Sequence, residues 1–163
     1  MTTPTVLDGR PPTIRRMDHS QFPLIDDVVA PEDTQPPDAH VIDFEIQKLL
    51  SRGWQRYLAI VREAAGGDIP DPAVREITTS FDGECHGGDE LQRGVRAAHR
   101  TRRSWVIEEA LWNKASGQLV ARSRVVMAGI DRSTGRAAEV PAHLWAAVEA
   151  FEGRTVETVE RTA

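Results

Sequence analysis

The chain has 163 residues, enough for one domain whose core folds without staples. Its formal net charge of -5 argues against a general polyanion-binding surface, and its one cysteine, Cys85, excludes a disulfide framework or a cysteine-rich zinc cluster. It contains no apolar run of roughly 18 residues and no apolar segment at the N-terminus, so neither a membrane span nor a secretion signal is expected, and a reduced, cytoplasmic setting fits.

Residues 1–20 are polar and proline-bearing and predict a loose arm. FPLIDDVV, 22–29, predicts a short edge strand whose length Asp26 and Asp27 limit. PEDTQPPDA, 31–39, predicts a loop, because its prolines forbid regular helix or a central strand. Over 40–65 the spacing changes: Val41, Ile42, Ile46, Leu49, Leu50, Gly53, Tyr57, Leu58, Val61 and Ala65 recur at three- and four-residue steps, the apolar stripe of a long helix. Asp38 is its candidate cap and GGDIPDP, 66–72, its stop. Gly53 in mid-helix costs about 1 kcal/mol against alanine, so close approach of a sheet or of a partner helix is expected there.

Four strand signals follow, at 73–81, 91–99, 104–112 and 119–127. In the last, Ala121, Ser123, Val125 and Met127 alternate with Arg122 and Arg124, a half-buried pattern. DRSTGR, 131–136, is a turn, and Pro141 opens a short helix with Leu144, Val148 and Phe151 on one side. The stretch after Gly153 is expected to fray. One domain therefore spans 21–153, between an arm and a tail at 154–163. One long helix followed by a wide antiparallel sheet is an α+β layer arrangement with open faces, which a partner subunit would cover.

The order of these pieces resembles the hotdog-fold thioesterases, in the 4-hydroxybenzoyl-CoA and acyl-CoA thioesterase branch. The likeness spans roughly 22–150. It rests on Gly88-Asp89-Glu90-Leu91 opening one strand, Ser104-Trp105 opening the next and Gly117 through Ala121 turning into a third. Asp131, Thr134-Gly135-Arg136 and Pro141 complete it. The resemblance implies a long helix wrapped by a curved antiparallel sheet. It also implies dimers whose sheets join edge to edge, some of them pairing again as dimers of dimers. The substrate class it implies is acyl-CoA or acyl-carrier thioesters, with coenzyme A or phosphopantetheine entering as part of the substrate and no resident cofactor.

The family's site loop reads Asp-x-Asp-x-x-Gly-His-Val-Asn-Asn and leads into the helix. Here Asp33 matches the first acid, while the second, which serves as nucleophile or general base in the best-known branch, falls on Gln35. His40 and Val41 are kept, and the two Asn positions are Ile42 and Asp43. Thioester hydrolysis needs a polarised carbonyl, an attacking water or carboxylate, and a grip on a large carrier. Amides at the helix start, near Val41 and Ile42, carry the positive end of the helix dipole and could form an oxyanion hole. Asp33, Asp38 and Asp43 are the local carboxylates, with His40 beside them. Each has a plainer reading: Asp38 as a cap, Asp43 as a complement to the dipole, Asp33 as a turn residue, His40 as a loop hydrogen-bonder. Gln35 could hold a water or the substrate carbonyl, and Glu45 and Gln47, one turn on, could point into the same groove.

Arg93, Arg96, Arg100, Arg102 and Arg103 form the densest basic run, suited by their donor forks to the phosphates of coenzyme A or to an acidic carrier. The plainer reading is a solvated hairpin. No aromatic residues interleave these arginines and no recognition helix is evident, so nucleic acid is not an expected partner. Cys85 and His86 are adjacent on an extended segment and should point apart, which argues against an activated thiol, although Glu84 or His86 could approach the groove of a partner subunit. No metal site has enough clustered ligands. Trp54 and Tyr57 lie about one turn apart and could set the depth of an acyl tunnel. Gln35 in place of an acid keeps a non-hydrolytic acyl-thioester binder in play, and a dehydratase of 3-hydroxyacyl thioesters is a third reading.

Overall fold

The computed structural model describes residues 19–32, 34–35 and 39–160. In chain order it holds a 3-10 turn at His19–Gln21, β1 (Leu24–Val29), β2 (Thr34–Gln35), β3 (His40–Val41), α1 (Asp43–Ala65), β4 (Asp71–Phe81) and β5 (Glu90–Arg100). Then come β6 (Ser104–Asn113), β7 (Leu119–Asp131), β8 (Arg136–Ala137), α2 (Ala142–Glu152) and β9 (Glu157–Thr158). The main sheet runs β1-β5-β6-β7-β4, with β8 on β7 and β9 on β5. Every pair is antiparallel except β5 with β9. This is the hotdog fold, one long helix lying in the hollow of a curved antiparallel sheet.

The curvature has local causes. The ladder slips at Val74/Glu76 in β4, at Ala97/His99 in β5 and at Leu111/Trp112 in β6, and each such irregularity bends and twists the strand. The apolar stripe of α1 fills the hollow: Leu50, Tyr57 and Val61 are buried against Leu91, Val95, Ile107, Leu111, Val125 and Met127. Burying each leucine-sized side chain contributes about 1.5–3 kcal/mol. Gly53 behaves as its position foretold. A Cβ there would stand 2.7 Å from the Arg93 Cδ and 3.0 Å from the Glu109 Oε1, so the sheet does make the close approach.

β6 is buried on both faces. Trp105, Ile107, Glu109 and Leu111 face the helix, while Val106, Glu108, Ala110 and Trp112 lie on the outer face. Phe22 and His19 cover Trp112 there, each ring edge-on to it. Gly94 makes room for them, since a Cβ there would come within 2.7 Å of the Phe22 ring.

Two boundaries differ from the sequence expectation. The helix begins at Asp43, not at 40, because His40 and Val41 are held extended by pairing with Gln35 and Thr34. Ile42 is the N-cap, with no side-chain cap bond. Asp38, expected as the cap, lies outside the described residues, as do 1–18 of the arm. Within the described part of the tail the chain does not fray after Gly153: Val156 is buried and β9 pairs with His99 and Arg100. Between the ends of β1 and β9 the edge of β5 is open at Ala97, and side chains close it. Glu152 Oε1 accepts the Ala97 N–H at 2.5 Å, and Arg154 donates to the Ala97 carbonyl.

Candidate active site

The start of α1 is exposed backbone with polar neighbours. Ile42 is extended (φ -70, ψ 151), and its carbonyl accepts the first helical bonds from Glu45 N–H at 3.1 Å and Ile46 N–H at 3.2 Å. The N–H groups of Asp43 and Phe44 precede those bonds and carry the positive end of the helix dipole. Asp43 is exposed on this first turn, and Phe44 beside it is 61 % exposed. One turn further along the same stripe, Gln47 is tied to the edge strand: the Thr79 hydroxyl donates to its Oε1 at 2.5 Å.

A second segment closes on this start. Val41 N–H donates to the Cys85 carbonyl at 2.8 Å, and His40 is bridged antiparallel to His86. That bond places 40 and 86 as a non-hydrogen-bonded pair, the arrangement in which opposite side chains share a face and stand closest. Ala39 reaches it through a left-handed turn at φ 54. Cys85 and His86 point apart as expected: Cys85 is buried, and burial first, then the Asp89 charge, pushes its thiol up to about 11, while His86 is exposed. A thiol so placed is inert.

The other sequence candidates fall as follows. Asp33 lies outside the described residues, and of Gln35 the backbone pairing with His40 is what is described. The Val41 amide is occupied by Cys85, and the pairing of Thr34 with Val41 turns the Ile42 amide toward β2, so the first-turn amides of Asp43 and Phe44 are the ones aimed along the helix dipole. The arginines do not gather into one patch. Arg93 is 5 % exposed on the helix side, ion-paired with Asp26 at 2.5 Å and donating to the Leu49 carbonyl at 2.5 Å. Arg96 lies on the outer face in a 2.6 Å ion pair with Glu108. Arg100 stacks on Trp145, 4.8 Å from its ring centre, and faces Glu149. Arg102 and Arg103 are exposed in the β5–β6 turn, and Arg102 is 3.8 Å from Glu139. Tyr57 does not line an open tunnel, being buried with its hydroxyl donating to Glu152 at 2.5 Å.

Sequence reasoning missed a buried polar line beneath the helix. Glu109 is fully buried, and its Oε1 accepts the Trp54 N–H at 3.0 Å. Burial holds its carboxyl well above the usual carboxylate range, against opposing pulls from Trp54 N–H, Arg93 and Ser123. Ser123 is its cross-strand partner, Thr79 sits opposite Ser123, and Thr79 leads to Gln47. The available signal was Glu108-Glu109 inside an otherwise apolar strand, since neighbours on a strand face opposite ways and one of the two had to point inward.

Along β5 a groove of about 560 Å³ lies past Arg96, lined by Gln21, Arg96, His99, Glu108, Arg154 and Glu157. It is remote from the helix start, which stands over Leu91. Its arginines are paired with Glu108 and Glu152.

No protein-family model matches the sequence, and no curated protein matches it. Solved structures do match the fold. A thioesterase from Thermus thermophilus, solved with coenzyme A and zinc, superposes with a TM-score of 0.70 at 21 % identity, covering 83 % of this chain and 98 % of that one. SAV2348 from Staphylococcus aureus, solved with CoA, gives 0.68 at 15 % identity over 85 % and 87 %. Slr0204 from Synechocystis, a 1,4-dihydroxy-2-naphthoyl-CoA thioesterase, gives 0.64 at 14 % identity over 78 % and 94 %. At these identities the likeness establishes the fold.

Proposed function

We propose that this hotdog-fold chain is a thioester hydrolase acting on acyl-CoA or acyl-carrier substrates. The observation that carries the reading is the exposed start of α1, where open first-turn amides, Asp43 and His40 stand together. Two thioesterases of solved structure on the same fold, the one from Thermus thermophilus with coenzyme A bound, support it, as does SAV2348, solved with CoA.

The thioester carbonyl lies against the first-turn amides of Asp43 and Phe44, which stabilise the oxyanion as it forms. Asp43, on a rigid element, takes the proton of a water that attacks the carbonyl carbon, with Asp33 the second candidate for that role. His40 orients the water or the oxyanion. Gln35 stands where the family has its second acid, so the base is displaced onto the helix. Arg102 and Arg103 are the arginines best exposed to meet carrier phosphates. The working unit is a homodimer. Among the described residues β4 is a long free edge with Val74, Ile77 and Phe81 exposed, whereas β1 at the other edge carries Asp26 and Asp27.

Gln35 in place of an acid favours one rival, an acyl-thioester binder that does not hydrolyse. Thiol release from short, medium, long and aromatic acyl-CoAs separates the two. Turnover well above a blank, reduced about 10²-fold or more in Asp43→Asn, is the expected result. Binding by calorimetry with no release on any substrate would establish the binder. Release that survives Asp43→Asn would move the base to Asp33, Asp38 or the partner chain.

A further inference from the structure

His86 is an exposed side chain on a tightly held backbone. Its N–H donates to the Asp89 Oδ2 at 2.9 Å, and the Asp89 N–H returns to the His86 carbonyl at 3.1 Å. Asn113 fixes the same Asp89 oxygen at 3.2 Å. The turn is clamped to the strand before the site loop, with Gly88 N–H on the Ala30 carbonyl at 3.0 Å and Ala30 N–H on the Asp89 carbonyl at 2.9 Å. Cys85, buried in the core, anchors its other side. Gly88 at φ 81 permits the tight return, and Gly87 lets Glu32 pack on the turn, since a Cβ there would meet the Glu32 carboxylate at 2.7 Å. A solvent-facing imidazole needs no such scaffold for stability, whereas a group that must meet a reacting atom does.

The partner of this turn is the site itself. The His40–His86 bridge, with the Val41–Cys85 hydrogen bond beside it, sets both imidazoles on one face, three residues before Asp43. His40 is half-buried and His86 is exposed.

We propose that His40 and His86 act as one acid–base pair at this site, with His86 donating the proton to the leaving sulfur. This rests on the thioesterase reading. Water adds to the carbonyl carbon as Asp43 takes its proton, and the carbonyl π pair becomes the oxyanion. As the oxyanion collapses, the C–S bond breaks with its electron pair on sulfur, and the His86 imidazolium gives that sulfur a proton, releasing the thiol. The proton held by Asp43 returns to His86 through His40, and the carboxylic acid product ionises. The sum is thioester plus water giving carboxylate, thiol and one proton. His86, the exposed member of the pair, suits this role, because the carrier arm must leave toward solvent while the acyl group stays inside.

The test uses leaving groups of different acidity on the full-length protein. A coenzyme A thiol is a weakly acidic alkyl thiol and needs the proton more than a nitrothiophenol does. His86→Gln and His86→Asn should lower kcat/KM on acyl-CoA by about 10²-fold, yet lower it less than about 5-fold on the nitrothiophenyl ester of the same acid. The same variants should melt within a few degrees of the wild type, since the imidazole is exposed. Equal losses on both esters, or no loss on either, would overturn the role of His86 while leaving the hydrolase reading intact. Wild-type protein inactive on both esters would remove the hydrolase reading, and this proposal with it.

Discussion

Gly53 of α1 leaves the space that Glu109 of β6 occupies: Glu109 Oε1 accepts the Trp54 N–H at 3.0 Å and would stand 3.0 Å from any Cβ placed on Gly53. Gly53→Ala should gain about 1 kcal/mol of helix propensity. It should lose more than that in the contact, because overpacking costs about 1–3 kcal/mol where neighbours cannot move. They cannot move here, as Arg93 is pinned by Asp26 and by the Leu49 carbonyl. A lower urea midpoint for Gly53→Ala is expected. A higher one would mean that helix and sheet separate easily at this point.

Glu109 gives a pH prediction of definite sign. Its folded-state pKa is raised, chiefly by burial, so the folded protein holds a proton that the unfolded chain releases near the ordinary carboxyl value. The stability from this group is full below that value and is lost as pH rises toward the folded pKa. The limiting slope is about 1.4 kcal/mol per pH unit. Glu109→Gln keeps an acceptor for Trp54 without a titrating group. Urea unfolding from pH 5 to 8 should therefore show the variant gaining on the wild type as pH rises. Parallel curves would mean that Glu109 is ionised in the fold beside Arg93.

Glu152 serves two buried donors, the Tyr57 hydroxyl and the Ala97 N–H, each at 2.5 Å, and pairs with Arg154 at 2.7 Å. Burial first, then the Glu152 charge, holds the Tyr57 phenol above its ordinary range. Glu152→Ala leaves both donors unmet and should cost about 2–4 kcal/mol. Glu152→Gln retains an acceptor and should cost less than half of that. Thermal melts of the two variants side by side decide it, and equal losses would point to the ion pair with Arg154 as the stabilising contact.

The proposed dimer predicts its own disruption. Ile77→Lys and Phe81→Glu place charges on the exposed helix-side face of β4, where Ile77 is 41 % and Phe81 53 % exposed. Light scattering after size exclusion should show a dimer for the wild type and a monomer for the double variant, with unchanged circular dichroism. A wild-type monomer at tens of micromolar would remove edge pairing through β4.

Legibility in the sequence followed the range of the interaction. The stripe from Ile46 to Val61, the edge strand held short by Asp26 and Asp27, and the alternation of Ala121, Ser123, Val125 and Met127 are local periodicities, and they appear as α1, β1 and β7. Gly53 announced a close approach but not the residue making it. The run from Arg93 to Arg103 read as one basic patch, and the structure divides it between two faces and a turn, each buried member meeting an acid from elsewhere.

The long helix, the strand segments and the inward face of α1 and β7 were determined by the chain alone, because 3.6- and two-residue periods encode which face is buried wherever that face ends up. Only the tertiary structure decided that His86 stands beside His40, that Glu109 reaches Trp54, and that Glu152 closes the edge of β5 at Ala97. Those partners lie 46, 55 and 55 residues apart in the chain. Local spacing carries no term for such pairs; they arise when the sheet curls around the helix and brings distant backbone to the same point.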